Sequence, residues 1–499
     1  MTEWTPERVY EAFQARFPDI GLAVVANRQP YAHEREDGQI VVRRPAGGMA
    51  LALDPVLRAV GGTWVAWGDG DADRMVVDEH DRVRVPPEDP SYTIRRIWLT
   101  EDEIERYYLG YSNQALWPLC HNILEHVRFR DRFWTTYREV NRRFAYATLE
   151  EMDGRDALVW IHDYHLALAP RAIREVRSDL TLAHFWHIPW PAWETFRVCP
   201  QKAQILEGLL ANDLIGFHLE SFAQNFLDTC ANELEVLVDW SQRTIVHRGR
   251  ATKIRSLPIS IDVERFETVA ASRETAERME RIRERFRLEG RKVGIGVDRL
   301  DYSKGILERL EALRVFFRNN PEYRGKFTFI QIAVPSRGEI PAYQHLAEKV
   351  DARIDALNDD LSTDDWKPIV YIRHTLPQDE LAAFYRMADV AIISSVVDGM
   401  NLVVKEFIAC QGDDPGAVCL SEFAGAADDI DHSIPVNPFY TEGFAEDIRT
   451  ALEMPLEERR RRMEAMKARL RKRTIYTWLA EFLAEAAEAR AASMVHGPV

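Results

Sequence analysis

The chain predicts an α/β protein made of two parallel-sheet domains, and three observations carry that expectation. Its 499 residues exceed what one ordinary core holds, so two or three domains are expected. Short apolar runs end again and again in polar loops that lead into helical segments, and strands alternating with helices form parallel sheets covered on both faces. A seam is expected near Leu257-Pro258-Ile259-Ser260-Ile261-Asp262, where a strand-like segment gives way to a charged helical stretch over 273–287. The domains then run 1–258 and 259–458, followed by a helical tail over 459–499.

The elements follow in order. Residues 5–16 have helical periodicity, and Gly21-Leu22-Ala23-Val24-Val25-Ala26 is a short strand running into Asn27-Arg28-Gln29-Pro30. Gly47-Gly48 precedes a helical segment, where glycines let the backbone approach a ligand closely, and Pro55 is expected to kink or shorten that helix. Ala157-Leu158-Val159-Trp160-Ile161 leads into His162-Asp163-Tyr164-His165, and the run 180–186 leads into His187-Ile188-Pro189. Later, Val293-Gly294-Ile295-Gly296-Val297 reaches Asp298-Arg299, and 327–333 reaches Pro335-Ser336-Arg337-Gly338. Helical spacing continues from Pro455 to about Ala491, and its charge run Glu457-Glu458-Arg459-Arg460-Arg461-Arg462 reads as a solvated helix face.

Composition narrows the function classes. Acidic residues outnumber basic ones 80 to 64, which disfavours nucleic acid as a partner and requires any phosphate ligand to meet local cations. No run of eighteen apolar residues and no N-terminal signal pattern is present, so no membrane association and a cytoplasmic location are expected. The five cysteines (Cys120, Cys199, Cys230, Cys410, Cys419) are scattered without ligand spacing, as reduced buried thiols would be. His162 and His165 have no third ligand nearby in sequence, so no metal is expected.

The densest chemistry lies in Asp398-Gly399-Met400-Asn401-Leu402-Val403-Val404-Lys405-Glu406. The apolar run 389–393 reads as a buried parallel strand and Leu402–Cys410 as a helix, with a polar loop between them. Helix N-terminal amides lack intrahelical partners and favour anions, so a diphosphate suits this turn, with Asp398 on sugar hydroxyls and Glu406 on a ribose. The plainer reading is an ordinary strand, glycine turn and capped helix. In Arg299-Leu300-Asp301-Tyr302-Ser303-Lys304-Gly305, two cations sit on one turn ahead of a helix. They could clamp a departing diphosphate, whose charge grows in the transition state, or form a surface ion-pair site. Arg28, Tyr108, Trp117 and Arg337 are phosphate candidates, Arg28 and Arg337 gripping one phosphate together. Trp117, taken alone, reads more readily as core than as a ligand. Asp163 is a candidate for sugar hydroxyls, and His187 reads equally as a hydroxyl partner or as a satisfied loop histidine.

Taken together these segments resemble glycosyltransferase family 20, the trehalose-6-phosphate synthases, in the same order from about Gly21 to Pro438. The resemblance rests on Asn27-Arg28, Gly47-Gly48, Gly61-Gly62-Thr63-Trp64, Tyr107-Tyr108 and Leu116-Trp117-Pro118. Trp160 to His165, His187-Ile188-Pro189, Arg299 to Gly305, Ser336-Arg337-Gly338, Asp398 to Leu402, Ser421-Glu422-Phe423-Ala424-Gly425-Ala426-Ala427 and Val436-Asn437-Pro438 complete it. It implies a GT-B fold, two Rossmann-like domains facing across a cleft, with the last helix crossing back to pack on the first domain. It implies retaining transfer of glucose from UDP-glucose to glucose 6-phosphate without metal or cofactor, Arg299 and Lys304 standing in at the diphosphate. By the same resemblance Gly47 and Gly48 meet the donor phosphate. Asp398, Gly399, Met400, Asn401, Leu402 and Val403 hold its glucose and phosphate, and Glu406 takes the ribose. Arg28, Tyr108, Trp117 and Arg337 hold the acceptor phosphate, with Asp163 and His187 on hydroxyls. The segment 371–377 is expected beside the nucleobase, whose identity the sequence leaves open along with the question of a homo-oligomer.

Two departures qualify the resemblance. Val397 stands where most of these enzymes carry Arg, a feature shared with validoxylamine-type pseudoglycosyltransferases, although Met400 is kept as in the trehalose type. Arg28-Gln29-Pro30-Tyr31 resembles the Arg-x-Pro-Tyr of glucosylglycerol-phosphate synthases, which makes glycerol 3-phosphate the alternative acceptor. A catalytically silent sugar-phosphate-binding member is the third reading, against which the retention of Arg299, Lys304, Asp398 and Glu406 speaks.

Overall fold

The apolar runs become strands buried on both faces, and the polar loops gather beyond their carboxyl ends. The computed structural model describes residues 4–44 and 48–495. They divide into two units, one of Met1–Ile259 with Tyr476–Val499 and one of Ser260–Ile475. The first contains β1 (Gly21–Val25), β2 (Ala32–Glu36), β3 (Gln39–Arg43), β4 (Thr63–Trp67), β5 (Arg82–Val85) and β6 (Tyr92–Ile97). It continues with β7 (Ala157–His162), β8 (Thr181–Phe185), β9 (Leu214–Phe217), β10 (Leu237–Asp239), β11 (Thr244–His247) and β12 (Arg250–Ser256). The second holds β13 (Lys292–Arg299), β14 (Phe327–Val334), β15 (Ile369–Ile372), β16 (Val390–Ile393), β17 (Ala417–Ser421) and β18 (Ile434–Val436).

In the first unit ten strands lie in the order β10-β11-β12-β9-β8-β7-β1-β4-β6-β5, while β2 and β3 form a separate hairpin. β4, β7 and β8 are buried at every residue, as strands covered by helices on both faces must be. The sheet is not purely parallel, as the strand-helix alternation led one to expect. β10 and β11 add antiparallel hairpin pairs beyond β12, and β5 pairs antiparallel with β6. These additions come from short connections, which only antiparallel neighbours can use. The second unit is a parallel sheet of six strands in the order β15-β14-β13-β16-β17-β18.

Three further expectations are corrected. Pro55 does not shorten its helix, which runs on past it as Gly48–Val60 and buries Leu53, Val56 and Leu57 on either side of the proline. Residues 257–262 contain no strand, since β12 stops at Ser256. The tail is two helices, Leu456–Lys472 and Ile475–Val495, and the first of them belongs to the second unit instead of starting a separate tail at 459. Its charge run is only partly a solvated face. Arg461 and Arg462 pair with Glu458, but Arg459 donates to the Pro415 carbonyl at 2.7 Å and Arg460 to that of Asp413 at 2.8 Å, so the cations finish a loop leading into β17. Between the two helices the Ile475 amide bonds the Ile261 carbonyl at 2.9 Å, so the two places where the chain passes between units lie side by side.

From Tyr476 onward the last helix packs into the first unit. Trp478 is buried, donates to the Leu257 carbonyl at 3.1 Å, and lies with Phe482 against Trp160 of β7, whose ring centroid is 4.1 Å from that of Phe482. Arg490 bonds Asp156 at 2.6 Å and Arg255 bonds Glu485 at 2.8 Å. No helix among the described residues is long and apolar enough to cross a membrane.

Trp478→Ala is expected to destabilise the first unit by about 3–5 kcal/mol, the usual cost of removing a buried aromatic ring. Urea denaturation followed by fluorescence reads this as a lower midpoint, and an unchanged midpoint would show that the last helix is not part of this core.

Candidate functional site

In an open parallel sheet, neighbouring strands whose connections leave in opposite directions open a crevice at their carboxyl ends. In the second unit β13 and β16 are such neighbours, because β14 and β15 extend from one side and β17 and β18 from the other. The loops after these two strands are laced together. Val396 donates its amide to the Ser303 carbonyl at 2.9 Å, and the Ser394 hydroxyl donates to the carbonyls of Gly305 and Lys304 at 2.8 and 3.1 Å. Gly305 has φ +61°, and a Cβ there would lie 1.9 Å from the Ser394 carbonyl oxygen, so only glycine permits this approach.

The lacing sets Lys304 Nζ 2.6 Å from Asp398 Oδ2, and the same oxygen accepts from Ser395 and Asn401 at 3.2 and 3.1 Å. The turn at Asp398 is pinned from the other side. Its amide donates to the Phe423 carbonyl at 3.1 Å, its carbonyl accepts from Gly425, and the Met400 carbonyl accepts from Ala426 at 2.6 Å. A Cβ on Gly425 would lie 2.2 Å from the Gly399 carbonyl oxygen. The 421–427 segment, which the sequence marks without a role, is therefore the buttress of this loop.

Helix Leu402–Cys410 starts where expected. Asn401 adopts φ +81° and accepts the Val404 amide at 3.2 Å, so the amides of Leu402 and Val403 precede it at the helix start, where no intrahelical acceptor exists. One turn on, Tyr385 donates to Glu406 at 2.9 Å. Burial raises the Glu406 carboxyl to about 7 in spite of that bond. Lys405 turns the other way and is buried against Asp429 at 2.7 Å.

Arg299 closes β13 and is exposed, one residue inside the strand rather than in the loop after it. Asp301 lies among the cations. Burial pushes its carboxyl up, but Arg337, Arg299 and Lys304 outweigh that and hold it at about 2. Arg337 has φ +52° and is buried, its guanidinium 3.3 Å from Asp301 and bonded to Tyr343. Tyr371 is in β15, at the sheet edge two strands from β13. Ser394, Tyr385 and Tyr343 have no motif of their own and are not marked by the sequence, while Ser303 lies inside the 299–305 motif without a role assigned to it.

The first unit repeats the arrangement. There β1 and β7 are the diverging neighbours, and beyond them come Asn27-Arg28 and His162-Asp163. Arg28 pairs with Asp69, donates to the Tyr108 hydroxyl at 3.0 Å, and lies over the Trp67 and Tyr108 rings. Arg28 and Arg337, expected to grip one phosphate, thus belong to different units and are each paired with a carboxylate, Arg28 as an exposed guanidinium and Arg337 as a buried one.

Tyr107 and Tyr108 lie on a π-helix, Ile104–Leu116, whose wider turns bring Asn113 to the Tyr108 carbonyl at 2.7 Å and Gln114 to that of Leu109 at 3.0 Å. Tyr107 thereby reaches Asn27 at 2.8 Å. Trp117 follows the π-helix and is buried, its ring 4.1 Å from His121 and 5.7 Å from Tyr164, which is the core placement weighed for it. Asp163 has φ +69°, and its carboxylate accepts the amides of Tyr164 and His187 at 3.0 and 3.3 Å. His187 is half-buried, and burial with the neighbouring His162 and His218 pushes its pKa well below the ordinary value, so the ring is neutral. Gly48 opens helix Gly48–Val60, and Gly47 lies outside the described residues. No group of three or more His, Cys, Asp or Glu among the described residues is placed to hold a metal.

Residues 21–488 match the model of glycosyltransferase family 20. A trehalose-6-phosphate synthase of Mycobacterium sp. (strain KMS) is 38% identical over 482 residues, covering 95% of this chain and 96% of that one. The crystal structure of an alpha,alpha-trehalose-phosphate synthase (UDP-forming) from Burkholderia vietnamiensis superposes with a TM-score of 0.86 at 31% identity, over 95% of this chain and 98% of that one. That of such an enzyme from Burkholderia xenovorans, in complex with glucose-6-phosphate, gives 0.84 at 31% identity over 93% and 99%.

Two predictions follow from the second unit alone. Gly305→Ala should raise amide exchange in peptides covering 302–305 and 394–397 while leaving the first unit's protection as it was. Equal protection in both proteins would mean the lacing is not what holds the loops. Glu406, with a carboxyl raised from 4.5 to about 7, favours the folded state below pH 4.5 and loses that contribution as pH rises through 7. The second unit should therefore lose of order 3 kcal/mol or less over that window, less because part of the side chain meets solvent. Glu406→Gln should flatten this slope in denaturation midpoints measured from pH 4.5 to 8.

Proposed function

Because the chain belongs to glycosyltransferase family 20, we propose that it transfers glucose from UDP-glucose to glucose 6-phosphate with retention, giving α,α-trehalose 6-phosphate and UDP. The observation that carries this reading is the joining of Lys304 and Asp398 at the β13/β16 crevice, which sets a cation, a carboxylate and a helix N-terminus within one turn of each other.

Arg299 and Lys304 would neutralise the diphosphate as its bond to glucose breaks, and the amides of Gly399 to Val403 would add fixed dipoles. Lys304 would then exchange Asp398 for phosphate, releasing the carboxylate to sugar hydroxyls. Glu406, held by Tyr385, would accept from the ribose. In the first unit Arg28, backed by Tyr108, would exchange Asp69 for the acceptor phosphate, and Arg337 would exchange Asp301 likewise. Asp163 and His187 would meet hydroxyls, with Trp117 shaping the wall behind them. The chain's own cations take the part a metal would play, so turnover without metal is part of the proposal. Five buried free thiols support a reducing, cytoplasmic location.

Glycerol 3-phosphate as acceptor draws less support. Tyr31, the residue that suggested it, is buried with its hydroxyl on Asp54 at 2.9 Å and on Arg58 at 2.8 Å, a core role. Val397 brings no charge to the loop, which leaves Arg299 and Lys304 as the pair proposed for the diphosphate.

Purified protein given UDP-glucose with glucose 6-phosphate should release UDP and a disaccharide phosphate identified by mass spectrometry, equally in EDTA. Turnover with glycerol 3-phosphate alone would replace the acceptor, and none with either would end the proposal. Arg299→Ala should lower kcat about 10²–10³-fold. Arg28→Ala should raise KM for glucose 6-phosphate at least about tenfold and leave KM for UDP-glucose unchanged, the mark of a lost ground-state contact to the acceptor.

A further inference from the structure

We infer that His162 is a positioning residue that holds His187 in one tautomer, with its proton on Nδ1, so that His187 faces the sugar site as a fixed hydrogen-bond donor. What His187 meets rests on the glycosyl-transfer reading, whereas the tautomer follows from the side chains themselves.

His162 ends β7 and is fully buried, on the same strand face as Trp160, whose ring lies 4.8 Å away and stacks in turn on Phe482. Its Nδ1 is 3.0 Å from Nε2 of His187, with the two rings 5.3 Å apart and 23° from parallel. Two imidazole nitrogens at that distance share one proton, so one donates and the other accepts. Burial pushes both rings well below the usual histidine range, so each carries a single N–H.

The other nitrogen of His162 decides the direction. Nε2 is buried and meets no hydrogen-bond partner among the described residues. An orphaned buried N–H is rarer and costlier than an under-used acceptor, so the proton belongs on Nδ1 and is donated to His187. Neighbouring His184 obeys the same rule. Its Nε2 bonds the Asp163 carbonyl at 3.1 Å, and since a carbonyl only accepts, that nitrogen carries the proton. Nδ1 of His184 is then an acceptor, and it too is buried without a partner among the described residues. The pocket therefore already leaves one imidazole acceptor unused.

With Nε2 occupied as an acceptor, neutral His187 must be protonated on Nδ1. Asp163 fixes its backbone by accepting its amide, and His162 fixes its ring. The result is a half-buried donor that needs no rearrangement when an oxygen of the substrate arrives.

The test uses the full chain labelled with ¹⁵N-histidine, with signals assigned by their loss in His187→Gln. His187 should show the Nδ1–H tautomer in the parent and a mixture in His162→Phe, whose kcat/KM should fall about 100-fold through misplacement of His187. His162→Asn, whose amide N–H stands near the lost Nδ1–H, should restore the tautomer and bring kcat/KM to within about tenfold of the parent. A parent spectrum with the proton on His187 Nε2 overturns the inference, as does a folded His162→Phe within about twofold of parent activity. If His162→Phe does not fold, the parent spectrum and His162→Asn decide. A parent inactive on UDP-glucose and glucose 6-phosphate would remove the transfer reading, while the tautomer would still be decided by the spectrum.

Discussion

The second unit's chemistry depends on one close approach, that of the Gly305 backbone to the Ser394 carbonyl. Two parallel strands that leave a sheet in opposite directions naturally splay their loops, and nothing in a parallel ladder holds those loops together. Here the missing Cβ lets residues 302–305 lie directly on residues 394–397, and hydrogen bonds through Ser303 and Ser394 hold them there. Lys304 and Asp398, ninety-four positions apart, meet as a consequence. The 421–427 segment then fixes the far side of the same turn, so the loop is held by backbone bonds on two flanks and its side chains are left for other work.

Much of this was legible in the sequence where one residue type has one physical use. The helix Leu402–Cys410 was readable to its ends, because an apolar run, a polar loop and Asn401 before a helical period leave few alternatives. Arg299, Lys304, Asp398 and Glu406 could be listed from their chemistry alone. What periodicity could not supply was pairing. Nothing local says that Arg337 lies against Asp301, that Arg28 takes Asp69, or that Tyr31 turns inward to Asp54, because each partner is far along the chain. The antiparallel additions at the sheet edges were hidden for a similar reason, since short edge strands such as β10 carry too few residues for a pattern.

The π-helix at Ile104–Leu116 was illegible in another way. Its residues have ordinary helical character, and no local pattern marks the i to i+5 spacing that distinguishes it and that sets Asn113 and Gln114 on carbonyls inside it. A residue count based on 3.6 per turn misjudges which faces Tyr107 and Tyr108 present. Both nonetheless act on the loop after β1, one on Asn27 and the other on Arg28, which is why the paired tyrosines belong to the candidate site.

The hydrogen bond from Ile475 to Ile261 marks more than a neat crossing. It ties together the two ends of the second unit, which the division of the chain makes an insertion in the first, entered after residue 259 and left before residue 476. During synthesis the second unit can therefore complete its sheet while the first still lacks its final helix. The face around Trp160 that Trp478 and Phe482 cover stays bare until the helix that carries them leaves the ribosome. The order of manufacture is thus the reverse of the order of the sequence: the unit begun first is finished last, and a chain lacking the helix that carries Trp478 and Phe482 would hold a finished second unit attached to an unsealed first one.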